Sequence, residues 1–484
     1  EGLVWNANER VEGYTNFLWT MLISGGMISG IDPITGAYLF GLTFFVISII
    51  TTYKTAQLIF GTRDISFIVM LLLGLNYTFF SYATGGLETQ MQTALIILSF
   101  YFTMKITVSP VIQQKHFYIT SILFSLAVLT RLDSGIIIIS LIIFIAIRVY
   151  AHNMPLQLKF RYLFILAAPM LIIVGSWLMW KLSYYGNILP NTFYVKASAF
   201  TSPLKGLRYV STFFFSYLLF PIVIISIFAV RVIFKNKISP LILICLMLVA
   251  WLSYVIKIGG DFMEFRFFVP ILPYLFILFG WVIFIFVKNR IYQWVLILLI
   301  ISGSVHHAFT FALDKDERIE PIRNLHNHLF ALDENWSGIG KSLHHYFNRA
   351  KNVTIGVTAA GAIPYFSELQ TIDMYGLNDR YLAREGIFAG ITPGHQRMSP
   401  FNYLVNRGVN LVIAHPKILR QCEEAGCYLP SLPSNPNDRI MQTKVIEIPI
   451  DSIYKFLALY LTPNADVDSI IEQNRWKVHL ISQK

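Results

Sequence analysis

Residues 117–150 read FYITSILFSLAVLTRLDSGIIIISLIIFIAIRVY. Two apolar runs, 117–131 and 134–150, meet at Arg131-Leu132-Asp133, and the second ends on Arg148. A helix rises about 1.5 Å per residue, so roughly 20 apolar residues cross a hydrocarbon core. The spacing predicts a helical hairpin in a membrane, polar at its turn and basic at its open end. Extended in both directions, the pattern gives ten runs: 34–53, 64–82, 90–107, 117–131, 134–150, 162–182, 208–232, 239–257, 267–287 and 291–311. Phe17–Gly30 is apolar but short and contains Gly25-Gly26, which reads as a re-entrant or interfacial helix.

Composition agrees. The chain of 484 residues is 55% hydrophobic and 13% charged, about half the charged fraction of a soluble domain. That excludes an ordinary cytosolic enzyme and a disordered chain. The net charge of +11 lies wholly in residues 1–311, with 20 Lys+Arg against 9 Asp+Glu; residues 312–484 carry 18 of each. The excess therefore belongs to membrane loops, and no nucleic-acid partner is expected.

The loops predict orientation. One set carries Lys54, Arg63, Lys105, Lys115, Arg148, Lys159, Arg161, Arg231, Lys235, Lys237, Lys288 and Arg290, with Asp64 the single acid. The positive-inside rule makes this side cytoplasmic. The other side carries the remaining eight acids of the first 311 residues. A full crossing by Phe17–Gly30 would invert every later loop and break the rule throughout. The expected domains are a transmembrane catalytic bundle, 1–311, and an extracytoplasmic α/β domain, 312–484, in a bacterial plasma (inner) membrane. The second has strand-like runs at Val353–Val357, Thr371–Met374, Val409–Ala414, Lys444–Ile450 and Tyr454–Leu461, and helical patterns at Pro321–Leu332 and Ile339–Asn348. Three cysteines make no disulfide framework. Cys245 reads as core, and Cys422 with Cys427 is open between a local disulfide and free thiols.

Five polar clusters punctuate the outer ends of the spans: residues 6–16, 84–89, 130–133, 184–196 and 259–266. Ionisable groups at the edge of a bundle are costly unless paired or functional. Together they supply what a sugar phosphate needs. Carboxylates and amides hold hydroxyls, Arg binds phosphate as a fork, and Lys binds it as a point charge. Each cluster also has a structural reading. Arg131 with Asp133 makes a helix-end ion pair, Glu12 with Arg10 caps the next helix, and Glu88 is favoured by a helix dipole. Asn191 after Pro190 starts a turn. Gly259-Gly260 makes a tight turn, placing Asp261 and Glu264 on one helical face near Arg266. Five such clusters on one face exceed what bundle structure requires.

Glu9-Arg10-Val11-Glu12-Gly13-Tyr14-Thr15-Asn16, Gly86-Leu87-Glu88-Thr89, Leu189-Pro190-Asn191-Thr192 and Gly259-Gly260-Asp261-Phe262-Met263 resemble bacterial membrane glycosyltransferases of the GT-C superfamily. Within it, the mycobacterial terminal β-(1→2) arabinofuranosyltransferase type is the nearest pattern. Thr371–Asp379 and Gly394-His395-Gln396-Arg397 share the likeness. The resemblance implies a multi-pass enzyme with inverting transfer from a polyprenyl-phosphate sugar at the outer leaflet. It further implies an acidic Asp-Asp-type motif shortly before Gly2-Leu3-Val4-Trp5-Asn6, serving as catalytic base. The chain opens at Glu1 without a Met, so that motif and a first helix are expected upstream.

On this reading Arg10, Arg131, Lys196 and Arg266 are candidates for the donor phosphate. Tyr14, Asn16, Glu88, Asn191, Asp261, Glu264, His395 and Arg397 are candidates for sugar and acceptor. Glu9 and Glu12 are the carboxylates nearest the expected base. The acceptor is a cell-envelope glycan or lipid-linked sugar, and arabinofuranose is one candidate for the transferred sugar. No dedicated metal motif exists, and a divalent ion bridging Asp261 or Glu264 to phosphate stays open. The rivals are a transporter or flippase of lipid-linked sugars, which would need a polar midplane path and often repeats, and a non-catalytic envelope assembly protein.

Overall fold

The structure, a computed structural model, describes residues 2–7, 9–108, 112–197, 202–312, 319–332, 334–350, 352–390, 394–423 and 443–481. It divides into two compact units. One comprises residues 15–183 and 201–321, the other residues 1–14, 184–200 and 322–484. The N-terminal stretch and the segment after residue 183 therefore group with the C-terminal part.

The first unit is a helical bundle, and the chain is a polytopic membrane protein. Each of the ten apolar runs lies on one helix or on two consecutive ones. Among the described residues, seven helices are long and apolar enough to span: Pro33–Phe60, Thr89–Val108, Leu132–Ala151, Leu156–Tyr185, Ser239–Lys257, Arg266–Phe286 and Arg290–Thr310. The run 208–232 is two helices, Pro203–Ser216 and Phe220–Lys235, bent by 111°. Leu218 between them adopts φ 53°, and Pro221 opens the second helix. Gly303 faces the bend: a side chain there would meet the Tyr217 carbonyl oxygen at 1.9 Å. The runs 64–82 and 117–131 give shorter helices, Arg63–Gly74 with Tyr77–Ser81, and Gln114–Thr130. Phe17–Ile28 is a helix of 12 residues, too short to cross.

Helices Thr89–Val108 and Arg266–Phe286 lie deepest, with 67% and 89% of their apolar windows buried. The first reads Thr-Gln-Met-Gln-Thr at its start, an unlikely opening for a buried helix. Thr93, Ser99 and Thr103 resolve the conflict by donating to the carbonyls four residues back. The hydroxyls are thus satisfied inside their own helix.

The second unit is built on a mixed sheet. Its strands are β1 (Thr354–Val357), β2 (Gln370–Asp373), β5 (Leu411–Ala414), β6 (Ile418–Arg420), β7 (Thr443–Pro449), β8 (Tyr454–Tyr460) and β9 (Val478–Ile481), while β3 (Ile387–Phe388) and β4 (Arg397–Met398) form a separate hairpin. The order is β2-β1-β5-β8-β7-β9, with β6 also on β8. β1 is parallel to β2 and β5, and the remaining pairs are antiparallel. All five expected strands are present. Helices Ile322–Phe330 and Trp336–Phe347 match the two helical patterns. Ile339, Leu343 and Phe347 pack with Ile355, Val357, Leu411, Ile413 and Phe456 in one fully buried core. Cys245 is buried and Cys422 exposed; Cys427 lies outside the described residues.

Candidate functional site

In the bundle, the sites form where helices end. Helix Gln114–Thr130 stops at Arg131, whose extended backbone (φ −156°, ψ 131°) turns the chain. The Arg131 guanidinium reaches Glu88 Oε1 at 2.5 Å and Asp133 Oδ2 at 2.7 Å. Asn16 Nδ2 donates to the other Glu88 oxygen at 2.9 Å, and Gln92 Nε2 donates to Asp133 Oδ1 at 2.8 Å. Burial alone would raise the Glu88 carboxyl. The Arg131 and Arg266 charges, with hydrogen bonds from Arg131 and Asn16, outweigh it and hold Glu88 below the usual carboxylate range.

Arg266 enters from a different loop. Its Nε lies 2.7 Å from Asp261 Oδ2, with Asp261 nearly enclosed. Both guanidinium carbons stand over the Phe267 ring, Arg131 at 5.9 Å and Arg266 at 5.6 Å from its centroid. Cations are held over a ring face at this range. Asn16, Glu88, Arg131, Asp261 and Arg266, drawn from four separated stretches of chain, thus gather around Phe267. Three carboxylates, counting Asp133, face two guanidiniums.

Glu264 departs from the sequence expectation. Residues 259–265 are not helical: Gly259, Gly260 and Phe265 have φ of 84°, 78° and 42°. The turn was expected, but it denies Asp261 and Glu264 a common helical face. Gly260 packs so closely on Tyr209 that a Cβ would come within 2.7 Å of its ring. Glu264 turns instead to His307, Oε1 to Nε2 at 2.7 Å, with both side chains buried. Tyr217 stacks on the His307 ring at 4.2 Å, and Phe311 lies 4.7 Å away. His307 was not anticipated, although the pair His306-His307 inside an apolar run was a visible signal.

In the second unit, Asn191 opens the helix Asn191–Ala197. Its Nδ2 donates to the carbonyls of Gly376, Leu377 and Asp379 at 2.9, 3.1 and 3.0 Å. Its backbone N–H donates to the Glu12 carbonyl at 2.9 Å. Glu12 is buried and lines a small pocket with Tyr185, Asn187, Asn191, Tyr194 and Arg380. Tyr14 and Tyr185 join hydroxyls at 3.0 Å. Glu9 has both oxygens engaged, one by Arg407 and the other by Asn6 Nδ2 at 3.1 Å. Arg10 lies over the Tyr184 ring at 4.7 Å. His395 and Arg397 sit at the β3–β4 hairpin; His395 meets the Tyr375 ring at 4.7 Å, and Arg397 donates to the Gly386 carbonyl at 2.7 Å. The Lys196 side chain lies outside the described residues.

Asp373, at the end of β2, is fully enclosed. Burial pushes its carboxyl up to about 6, against the N–H bonds from Asn378 and Tyr375. Tyr403 donates to Asp379 at 2.7 Å, and Arg407 donates to the Tyr403 hydroxyl at 3.2 Å. Asp379 closes the quoted string Thr371–Asp379, and Arg380 follows it directly in sequence. Arg380, Tyr403 and Arg407 were not anticipated, and the last two adjoin that string only in space.

Among the described residues, no group of three or more His, Cys, Asp or Glu side chains gathers as a metal cage. Glu264 is committed to His307 and Asp261 to Arg266.

A family model described as a domain of unknown function (DUF8728) matches residues 325–463. No curated protein matches the chain. Among solved structures, the crystal structure of ArnT from Cupriavidus metallidurans bound to undecaprenyl phosphate is similar, with TM-score 0.54 and 13% identity, covering 92% of this chain and 88% of that one. The chain shares the fold of that structure. At this identity the likeness carries architecture, a polytopic bundle with a C-terminal α/β domain; function has to be argued from the site.

Proposed function

We propose that the chain is a membrane glycosyltransferase that moves a sugar from a polyprenyl-phosphate donor to a cell-envelope glycan or lipid-linked acceptor, with inversion. Arabinofuranose is the sugar assigned first, on the strength of the motif strings. The observation that carries the reading is the pair Arg131 and Arg266 around Phe267, each already bound to carboxylates. The solved relative of the same fold carries undecaprenyl phosphate, the kind of lipid this donor would release. The positive-inside loops support an extracytoplasmic second unit, and the reading puts the protein in a bacterial inner membrane.

The chemistry follows from the groups present. The acceptor hydroxyl attacks the anomeric carbon while the lipid phosphate leaves with the bonding electrons, and the hydroxyl proton ends on that released phosphate. Arg131 and Arg266 hold that phosphate, and their charge counters the negative charge growing on the leaving oxygen. Glu88 and Asp261, beside them, accept hydrogen bonds from sugar hydroxyls and keep the guanidiniums fixed between turnovers. In the second unit, Glu12, Asn191 and the tyrosines of the small pocket provide a surface for acceptor hydroxyls. Glu9, tied to Arg407, braces that region.

The test is transfer from radiolabelled polyprenyl-phosphate sugars by the full-length protein. The double variant Asp261→Ala/Arg266→Ala is expected to lose about 10²–10³-fold in rate, the scale for removing one preset electrostatic contact. An unchanged rate would overturn the assignment.

A further inference from the structure

The far ends of the same helices carry a second site that the transfer chemistry does not use. A cavity of about 190 Å³ opens there, lined by Ile106, Thr107, Ile112, Arg148, Val149 and His152, among others. Arg148 donates to the Thr107 carbonyl at 3.2 Å, and Arg161 donates to Gln114 Oε1 at 3.2 Å. Arg148 thereby ties the end of Gly135–Ala151 to that of Thr89–Val108, and Arg161 ties the start of Leu156–Tyr185 to that of Gln114–Thr130.

Charge distinguishes this end from the other. Residues 105–116 and 148–161 hold Lys105, Lys115, Arg148, Lys159 and Arg161 and not one acid. Arg131, at the opposite end of these helices, has two carboxylates within 2.7 Å. Here, among the described residues, Arg148, Arg161 and Lys159 hydrogen-bond to neutral oxygens, Lys159 donating to the Tyr150 carbonyl at 2.6 Å. Snorkelling basic side chains explains charges at a membrane edge. It does not explain a concave gap whose lining combines Arg148 and His152 with Ile106, Ile112 and Val149.

We propose that this cavity binds the phosphate headgroup of an anionic phospholipid. The phosphate oxygens accept hydrogen bonds from Arg148 and from His152, and an acyl chain lies against Ile106, Ile112 and Val149. Basic pockets between transmembrane helices recognise lipid headgroups through this combination of charge and apolar wall. Inorganic phosphate offers the same oxygens without the chain, so the apolar wall commits the site to lipid. The inference is independent of the sugar-transfer reading.

The experiment is native mass spectrometry of the delipidated full-length protein, titrated with dioleoylphosphatidylglycerol, dioleoylphosphatidylcholine or inorganic phosphate. Phosphatidylglycerol is expected to occupy one saturable site that phosphatidylcholine does not fill and that millimolar phosphate does not displace. The variant Arg148→Gln should bind it more weakly by roughly fivefold, the effect of one charge removed. Thermal unfolding of the lipid-free variant, unchanged from the parent, shows that the loss is not misfolding. Equal retention of both lipids, displacement by phosphate, or full binding by a folded variant would each overturn the proposal. Should the variant fail to fold, the lipid and phosphate arms on the parent protein still decide.

Discussion

Glu88 in the bundle and Asp373 in the α/β unit are both enclosed carboxylates, and they solve the same problem in opposite ways. Glu88 keeps its charge: Arg131 pairs with it at 2.5 Å, and its carboxyl is held down. Asp373 has three N–H bonds from Tyr375 and Asn378, and its carboxyl is pushed up to about 6. The difference follows from what each fold leaves over. Helices consume their own backbone groups, so a buried charge in the bundle must find another side-chain charge. Loops around a sheet leave backbone N–H and C=O groups free, so polar side chains there can be satisfied by the chain itself.

The contrast breaks most visibly at Arg131. Arg131→Ala would leave Glu88 and Asp133 buried without their cation. The expected loss is about 3–5 kcal/mol of stability, read by thermal unfolding in detergent, together with sugar transfer. Arg131→Lys should fall between, since it restores the charge but not the fork that spans two carboxylates. A stable Arg131→Ala protein would mean that water, not pairing, carries these acids.

His307 comes next. His307→Phe preserves the aromatic stack with Tyr217 but removes the partner of Glu264. A loss of about 2–3 kcal/mol is expected, and Glu264→Gln added to it should recover part. If the double variant is no better than the single one, His307 acts through packing alone.

These sites were unequally legible. The bundle could be read because apolar run length and loop charge are one-dimensional signals. Glu88, Arg131, Asp261 and Arg266 stood out as polar breaks in apolar sequence. Phe267, which the two guanidiniums share, was invisible because it begins an apolar run and looks like any other span residue. The bend at residues 217–219 rests on Leu218 in a left-handed conformation, and no glycine marks that position. In the second unit, Glu9 meets Arg407 across nearly the whole chain. Asn191 holds carbonyls of the loop 376–379. Contacts so distant in sequence have no local pattern. The short strands β3, β4, β6 and β9 went unread because so few residues show no alternation.

Asn191 tests the loop side of the contrast. Asn191→Ala strips a donor from three carbonyls, with an expected loss of about 1–2 kcal/mol. Asn191→Asp should be worse than alanine, because its carboxylate would face the same three oxygens. Thermal unfolding followed by the tryptophan signal ranks the variants. Aspartate as mild as alanine would mean that the loop moves away at little cost.

The smallest effect expected is at Asp373, and pH isolates it. Its folded value, about 6, lies above the ordinary aspartate value of 3.8. The folded protein therefore binds this proton more tightly than the unfolded chain does. The resulting stability is fully present below the unfolded value and is lost as pH rises through about 6. Between about pH 5 and pH 7 the unfolded carboxylate is ionised throughout while the folded one titrates, which amounts to about 1 kcal/mol. Glu88 has the opposite sign. Its stabilisation is present above the ordinary glutamate value and is lost on acidification, so it contributes nothing to this window. Asp373→Asn should flatten the slope between pH 5 and pH 7 in denaturant titrations of the full chain, while Glu88→Gln should leave that slope unchanged. Identical slopes for Asp373→Asn and the parent would place the charge of Asp373 in contact with water and remove the contrast between the two carboxylates.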